Sequence, residues 1–290
     1  MAPDEGDDVA DRFTTLVEGL LFPESPRWHD GRLWLSEKRA GRVLAVSTHA
    51  PADVETIAHV DGEPGGLGWR PDGTLLVVSM RTRSVVAVDA AGAISTVADL
   101  SSLTTGRCND MVVDGTGAAY VGDFGYDLAA GAAPQPGVLV LVPVDGAPSV
   151  VADDLHFPNG CVVTPDGTTL VVAESAANRL TAFDVAADGS LSGRRVFADL
   201  GDVVPDGIAL DAEGAVWVAD PLGNAVVRVA DGGDVLERIT TSQGAFACEL
   251  GGPDGRTLYV CTYDAAASGS PTPTAVGRVE ATTVDVPAPA

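Results

Sequence analysis

Six short phrases in this chain each carry a side chain at a matching position, and four of the six side chains bear oxygen. Counted seven or eight residues ahead of a turn glycine, they are Glu24, Gly66, Asn109, Asn159, Asp206 and Ala247. If these positions converge, two carboxylates and two amides crowd together, which is costly unless a cation compensates them. An all-oxygen set suits Ca2+, Mg2+ or Mn2+, whereas Zn2+ and copper ordinarily call on His or Cys. Taken alone, Asn159-Gly160 or Asp206-Gly207 is equally at home in a tight turn. The shared register is what points to a hard-cation site.

The elements that must position these residues can be read from the phrases themselves. In HFPNGCVVTPDGTTLVVAES, residues 156–175, two Val-rich runs flank a Pro-Asp-Gly turn, the pattern of two strands in a hairpin. Related phrases begin at Glu24, Gly66, Asn109, Asp206 and Ala247, and their turn glycines Gly31, Gly73, Gly117, Gly167, Gly214 and Gly255 stand 42, 44, 50, 47 and 41 residues apart. The first repeat predicts strands over 24–29, 32–37, 42–47 and 54–60, with no helical periodicity, and later repeats run 65–99, 109–152, 159–199 and 206–240. About four short strands per repeat, six times over, predict an all-β, six-bladed β-propeller. The sixth repeat, from near residue 246, holds only three strands, so residues 12–18 are expected to donate the fourth and close the ring. This gives one propeller domain over 12–286, between a disordered acidic segment at 1–11 and a Pro/Ala tail at 287–290. The insertion at 127–137 is expected to form a loop over one face, where it can shape a pocket.

Composition narrows the partners. With 46% hydrophobic residues, 290 residues bury a large core, and 41 acidic against 17 basic residues give a net charge of −24. Such a surface repels phosphate backbones and acidic membranes, so neither nucleic acid nor a membrane is an expected partner. The N-terminus lacks a basic and apolar leader pattern and no spanning segment occurs, which makes a cytoplasmic location the default expectation. Cys108, Cys161, Cys248 and Cys261 have no metal-site or redox spacing and read as small buried hydrophobes. There is no GxSxG, HExxH, Walker or GxGxxG motif. His29, His49 and His59 are expected to be exposed, as is His156 despite its place beside the channel mouth. The four tryptophans are assigned to packing between blades, and Glu37, Asp110 and Glu174 to turns and strand ends or to support around the site.

The phrases FPESPRW (22–28), RCND (107–110), FPNG (157–160) and PDGIALDAEGAVWVAD (205–220) resemble the signature blades of the SMP-30/gluconolactonase/LRE, or regucalcin-like, superfamily, over roughly residues 13 to 264. The resemblance implies a propeller with one divalent cation on its axis, held by Glu24, Asn159 and Asp206. Asn109 matches a channel Asn that ligates the ion in some members and touches substrate in others, and Arg107 matches an Arg that faces substrate. The implied cofactor is Ca2+, with Mn2+, Mg2+ or Zn2+ as alternatives. Ser25 stands where Gly is more usual, and the pocket loops are unlike those of sugar-lactone specialists. The activity implied is a metal-dependent lactonase acting on a small-molecule lactone or ester, with Asp206 as catalytic base and Arg107 and Asn109 as substrate contacts. The alternatives are hydrolysis of another ester, a phosphotriester or a natural-product intermediate, or a non-catalytic calcium-binding propeller.

Overall fold

Described as a computed structural model, the structure covers residues 12–48, 52–268, 270 and 272–290. The expectations for residues 1–11 and for His49 lie outside the described residues. Val-rich runs separated by glycine turns form strands, and these assemble into six four-stranded antiparallel sheets around an axis. The first blade is Pro23–His29, Arg32–Glu37, Arg42–Val46 and Val54–His59, close to the expected strands. The six innermost strands begin at Pro64, Cys108, Pro158, Ile208 and Gly244 besides Pro23. All six turn glycines take positive φ, from 71° to 91°, a backbone conformation that costs glycine nothing.

Burial follows position in the blade. The second strands Leu75–Ser79, Ala119–Asp123 and Val216–Asp220 are buried at every residue, because both faces of a blade pack on neighbouring blades. The outermost strands Val54–His59, Ile94–Asp99 and Val235–Thr240 are exposed at most positions, where polar residues such as Glu55, Thr56, Ser95 and Thr96 follow the exposed apolar starts Val54, Ile94 and Val235. Each of the six blade-to-blade junctions holds its own apolar cluster. Tryptophans serve these junctions as expected: Trp28 of blade one stacks on Tyr259 of blade six at 5.6 Å, and Trp34 meets Trp69 of blade two at 5.2 Å. His29 departs from expectation, being half-buried with its ring stacked on Trp69 at 4.0 Å.

Ring closure is as the incomplete sixth repeat required. Thr14–Leu20 pairs antiparallel with Gly277–Thr283 and becomes the outermost strand of the sixth sheet. Leu16, Val17 and Leu20 add to the cluster between blades six and one. Residues 287–288 bind back as well, Ala288 N donating to Gly255 O at 2.8 Å and Pro287 O accepting from Ala212 N at 2.9 Å. Among the described residues no helix is long and apolar enough to cross a membrane. Deleting residues 1–20 strips a strand and its buried side chains from the closing blade, so the melting temperature should drop by about 10 °C or more. An unchanged melt would show that this strand does not hold the ring closed.

Candidate functional site

Glu24, Asn109, Asn159 and Asp206 come from four blades and line one cavity of about 810 Å3. The two non-donor positions are explained by close approach of neighbouring strands. A Cβ on Gly66 would lie 2.1 Å from Met111 N and 2.7 Å from Asp110 Oδ1 of blade three, and one on Gly207 would lie 2.6 Å from the Cβ of Ala247. The same sterics account for Asn159-Gly160 and Asp206-Gly207, since a Cβ on Gly160 would lie 2.6 Å from Ile208 N. Neither glycine has positive φ, so these dipeptides are not tight turns. They are places where innermost strands touch.

Orientation of the amides is fixed by a residue that sequence reasoning missed. Ser175 Oγ donates to Pro205 O at 2.6 Å and therefore must accept from Asn159 Nδ2, 3.2 Å away. That turns Asn159 Oδ1 toward Asn109, whose Nδ2 donates to it at 2.8 Å. Both amides are 7% exposed, whereas Glu24 and Asp206 are half-buried at the cavity wall. Burial pushes the Glu24 carboxyl up to about 7, an effect the Lys38 charge offsets and Asp110 reinforces. Asp206 is raised well above the ordinary aspartate range by burial and then by the Glu24 charge. Lys38 acts on both acids through space but does not outweigh burial, and neither acid is in an ion pair among the described residues. Among the described residues no set of three or more His, Cys, Asp or Glu side chains is placed to hold a metal; the donors here are two acids and two amides.

A repeated device anchors the segments that carry these groups. At the end of the second strand, four blades place a buried acid, Glu37, Asp123, Glu174 or Asp220. Glu37 accepts from Leu21 N at 2.8 Å, Asp123 from Thr105 N at 3.1 Å and Gly106 N at 2.9 Å, Glu174 from His156 N at 2.8 Å, and Asp220 from Val204 N at 3.4 Å. Each donor lies two to three residues ahead of Glu24, Arg107 or Asn109, Asn159 or Asp206, so the acids fix the entry of every candidate ligand. Glu37 and Glu174 are strand-end partners, paired with Arg42 and Arg179. Asp110 is not: it takes Arg27 Nη2 of blade one at 3.0 Å, across the glycines of blade two, and Arg27 also reaches Met111 O at 2.8 Å.

The rim adds strain. Phe22, Glu63 and Phe157 have φ of 68°, 67° and 60°, and each precedes a proline that begins an innermost strand. Positive φ costs a non-glycine residue about 1–3 kcal/mol, and here it goes with side chains that line the cavity. Ser25 also has positive φ, 50°, which is the physical reason for a glycine preference there. Arg107 Nη1 donates to Glu63 Oε2 at 2.9 Å, and Glu63 Oε1 takes Arg81 at 2.7 Å. Burial raises Glu63, but the Arg81 hydrogen bond and the charges of Arg81 and Arg107 outweigh it and keep the carboxyl below its ordinary value. The insertion at 127–137 contributes Leu128 to the wall. His59 and His156 are exposed, and all four cysteines are free and buried, their thiols pushed up by burial.

The arrangement defines a six-bladed propeller with an acid and amide cluster at one end of its axis. Residues 22–264 match the SMP-30/gluconolactonase/LRE-like region, and the chain belongs to that family. It is 28% identical over 260 residues to a pentonolactonase of Haloferax volcanii, covering 85% of this chain and 83% of the relative. It is likewise 28% identical over 250 residues to a 6-deoxy-6-sulfogluconolactonase of Pseudomonas putida, covering 83% and 82%. A solved structure of the calcium-binding protein regucalcin from Agrobacterium tumefaciens superposes with a TM-score of 0.78 at 23% identity, covering 94% of each chain.

Two outcomes follow from this geometry. Asp123→Ala strands the backbone donors of Thr105, Gly106 and Val138, and should cost about 3 kcal/mol in urea unfolding; a loss below about 1 kcal/mol would show that the acid is not an anchor. Deeper in the channel, burial lifts Glu249 from 4.5 to about 7 despite the attraction of Arg27. The folded protein then holds a proton that the unfolded chain releases between these values, so this group's contribution to stability falls as pH rises through that window. The melting temperature of Glu249→Gln should gain on that of the native protein between pH 5 and pH 8, and parallel curves would contradict this.

Proposed function

We propose that the protein is a divalent-metal-dependent lactonase whose ion is held by Glu24, Asn159 and Asp206, with Asn109 beside it. The observation that carries this reading is the convergence of four oxygen-bearing side chains from four blades on one cavity, where the two acids make no direct ion pair among the described residues and feel Lys38 only through space. The donor set fits a hard cation, Ca2+ first, with Mn2+, Mg2+ and Zn2+ as alternatives, because every donor is an oxygen and Asn159 turns its Oδ1 away from Ser175. Relatives named as lactonases support the reaction class, and a related structure named as a calcium-binding protein supports the ion.

When bound, such a cation polarises a lactone carbonyl and makes water more acidic. The chain's residues do the rest. Asp206 accepts the proton as water attacks the carbonyl carbon and returns it to the leaving ring oxygen. Arg107, held on one edge by Glu63, presents its remaining donors to negative charge developing on the substrate oxygen. Asn109 spends its Nδ2 on Asn159 and keeps Oδ1 for the ion or a substrate hydroxyl. The aromatic walls Phe22, Phe124, Phe157 and Phe246 keep bulk water from the scissile bond.

The reading is tested on a panel of aldonolactones, aliphatic lactones, aryl esters and phosphotriesters, with activity and metal content followed together. Chelation should abolish hydrolysis of a lactone in the panel, and added Ca2+, Mn2+ or Mg2+ should restore it. Asp206→Asn keeps the shape but loses the base, so activity should fall about a hundredfold or more at saturating metal. Glu24→Gln removes charge but no base, and its loss should be largely recovered by raising the metal concentration. Equal rescue of both variants would reduce Asp206 to a ligand. Full activity after chelation would overturn the metal-dependent mechanism.

A further inference from the structure

The chain contains a single lysine, Lys38, and it lies in the cavity wall. Arg39, Arg81 and Arg107 line the same cavity, so four of the 17 basic residues of a protein with net charge −24 gather at one site. Lys38 and Arg39 sit on a 3-10 turn, Lys38–Ala40, between the second and third strands of blade one. That turn is tied to the segment that carries Glu24: Lys38 N donates to Phe22 O at 3.0 Å and Arg39 N to Leu21 O at 3.1 Å. The Lys38 Nζ stands 4.9 Å from the centre of the Phe22 ring, and the Arg39 guanidinium stands 5.7 Å from it. The two cations are therefore presented over an aromatic face on anchored backbone.

Charge distinguishes the two sides of the mouth. Arg81 and Arg107 share Glu63, as described above. Among the described residues Lys38 is in no ion pair, and it acts on Glu24, Glu63 and Asp206 only through space. Arg39 donates to Ser270 O, so the charge count rests on Lys38, Arg81 and Arg107, which balance Glu24, Glu63 and Asp206; a bound divalent ion leaves the cavity with two net positive charges. Once an ion satisfies Glu24 and Asp206, Lys38 faces net positive charge and an anion is the partner that balances it. The walls speak for the rest of the ligand: Phe22 meets Phe246 at 4.8 Å on one side and Phe124 stacks on Phe157 at 4.4 Å on the other. Such faces suit an apolar or aromatic body better than a ring of hydroxyls.

We propose that Lys38, with Arg39 beside it, forms an anion-binding subsite, and that the substrate is an acidic one: an apolar or aromatic lactone or ester carrying a carboxylate, sulfonate or similar oxyanion apart from the scissile group. The substrate class rests on the lactonase reading; the anion subsite does not. Lys38 is the specificity-determining contact, and the surrounding acidic surface makes its field the local exception that admits an anion.

Binding is tested first with 4-propylbenzoate and its uncharged counterpart 4-propylbenzamide, by calorimetry, on metal-loaded and on chelator-treated protein. The chelated sample removes direct ligation of the carboxylate to an ion. The benzoate should bind about tenfold more tightly than the amide on metal-loaded protein and by a smaller factor on chelated protein, where Glu24 and Asp206 draw on Lys38, with the preference shrinking in high salt. Lys38→Met should cut the preference to about threefold or less, and Lys38→Arg should keep most of it. Arg39→Met, as a second variant, should lower it by a smaller factor, and thermal melts confirm that each variant is folded. Hydrolysis is then compared for a γ-aryl-γ-butyrolactone bearing a para carboxylate and for its para carboxamide; kcat/KM should favour the acid about tenfold, and Lys38→Met should erase the ratio. Equal binding of the two benzoyl probes, or a preference that survives Lys38→Met, overturns the subsite. If the benzoate preference depends on Lys38 but neither lactone is hydrolysed, the anion subsite stands and the lactonase reading falls. If both lactones are hydrolysed alike with no preference for charge, the lactonase reading stands and the subsite falls.

Discussion

Two carboxylates that act on each other across one cavity repel, and both lose solvation, unless a cation stands between them. Glu24 and Asp206 are in that position, each raised toward the protonated form by burial and by its surroundings. Much of the architecture near the axis can be understood from this constraint. Blades one and five carry the acids, blades three and four bring amides that add oxygen without adding charge, and blades two and six offer Gly66 and Ala247, where only a small residue fits against the neighbouring strand. The ring must be closed for these positions to hold their spacing, which gives the N-terminal strand a role in the site as well as in the fold.

Precision at the axis is maintained from behind. Buried acids at the ends of second strands take backbone donors from the segment that enters each innermost strand, and hydrogen bonds to a charged acceptor are the stronger kind. Residues with positive φ ahead of prolines aim Phe22, Glu63 and Phe157 along the cavity wall. Strain of this sort persists only where surrounding structure over-determines it, and here the anchors provide that. Lower in the channel Arg27 crosses to Asp110 past the glycines of blade two and makes a direct ion pair there, whereas Glu24 and Asp206 feel Lys38 only through space. The two layers are thus electrostatically distinct.

The sequence made the architecture legible because its signals are local and repeated. A turn glycine every 41 to 50 residues, alternating with Val-rich runs, led to six blades, and the shortage of one strand in the sixth repeat led to the N-terminal donor. The register of Glu24, Asn109, Asn159 and Asp206 was visible for the same reason. What escaped were contacts that join distant positions: Ser175 setting the Asn159 amide, Arg27 reaching blade three, and Asp123 and Asp220 completing the set of anchors. An Asp-Gly or Asn-Gly dipeptide reads as a turn until the neighbouring strand is seen to press against the glycine. Lys38, the lone lysine, could have been singled out by rarity alone, but only the fold brings its turn to the mouth of the channel.

The central claim is that the acid pair exists to hold one cation, and calorimetric titration of chelator-treated protein with Ca2+ tests it most directly. The account predicts binding at one ion per chain in the native protein and no measurable binding in the Glu24→Ala, Asp206→Ala double variant, with both proteins folded by circular dichroism. Absence of binding to the native protein, or undiminished binding to the double variant, would contradict it.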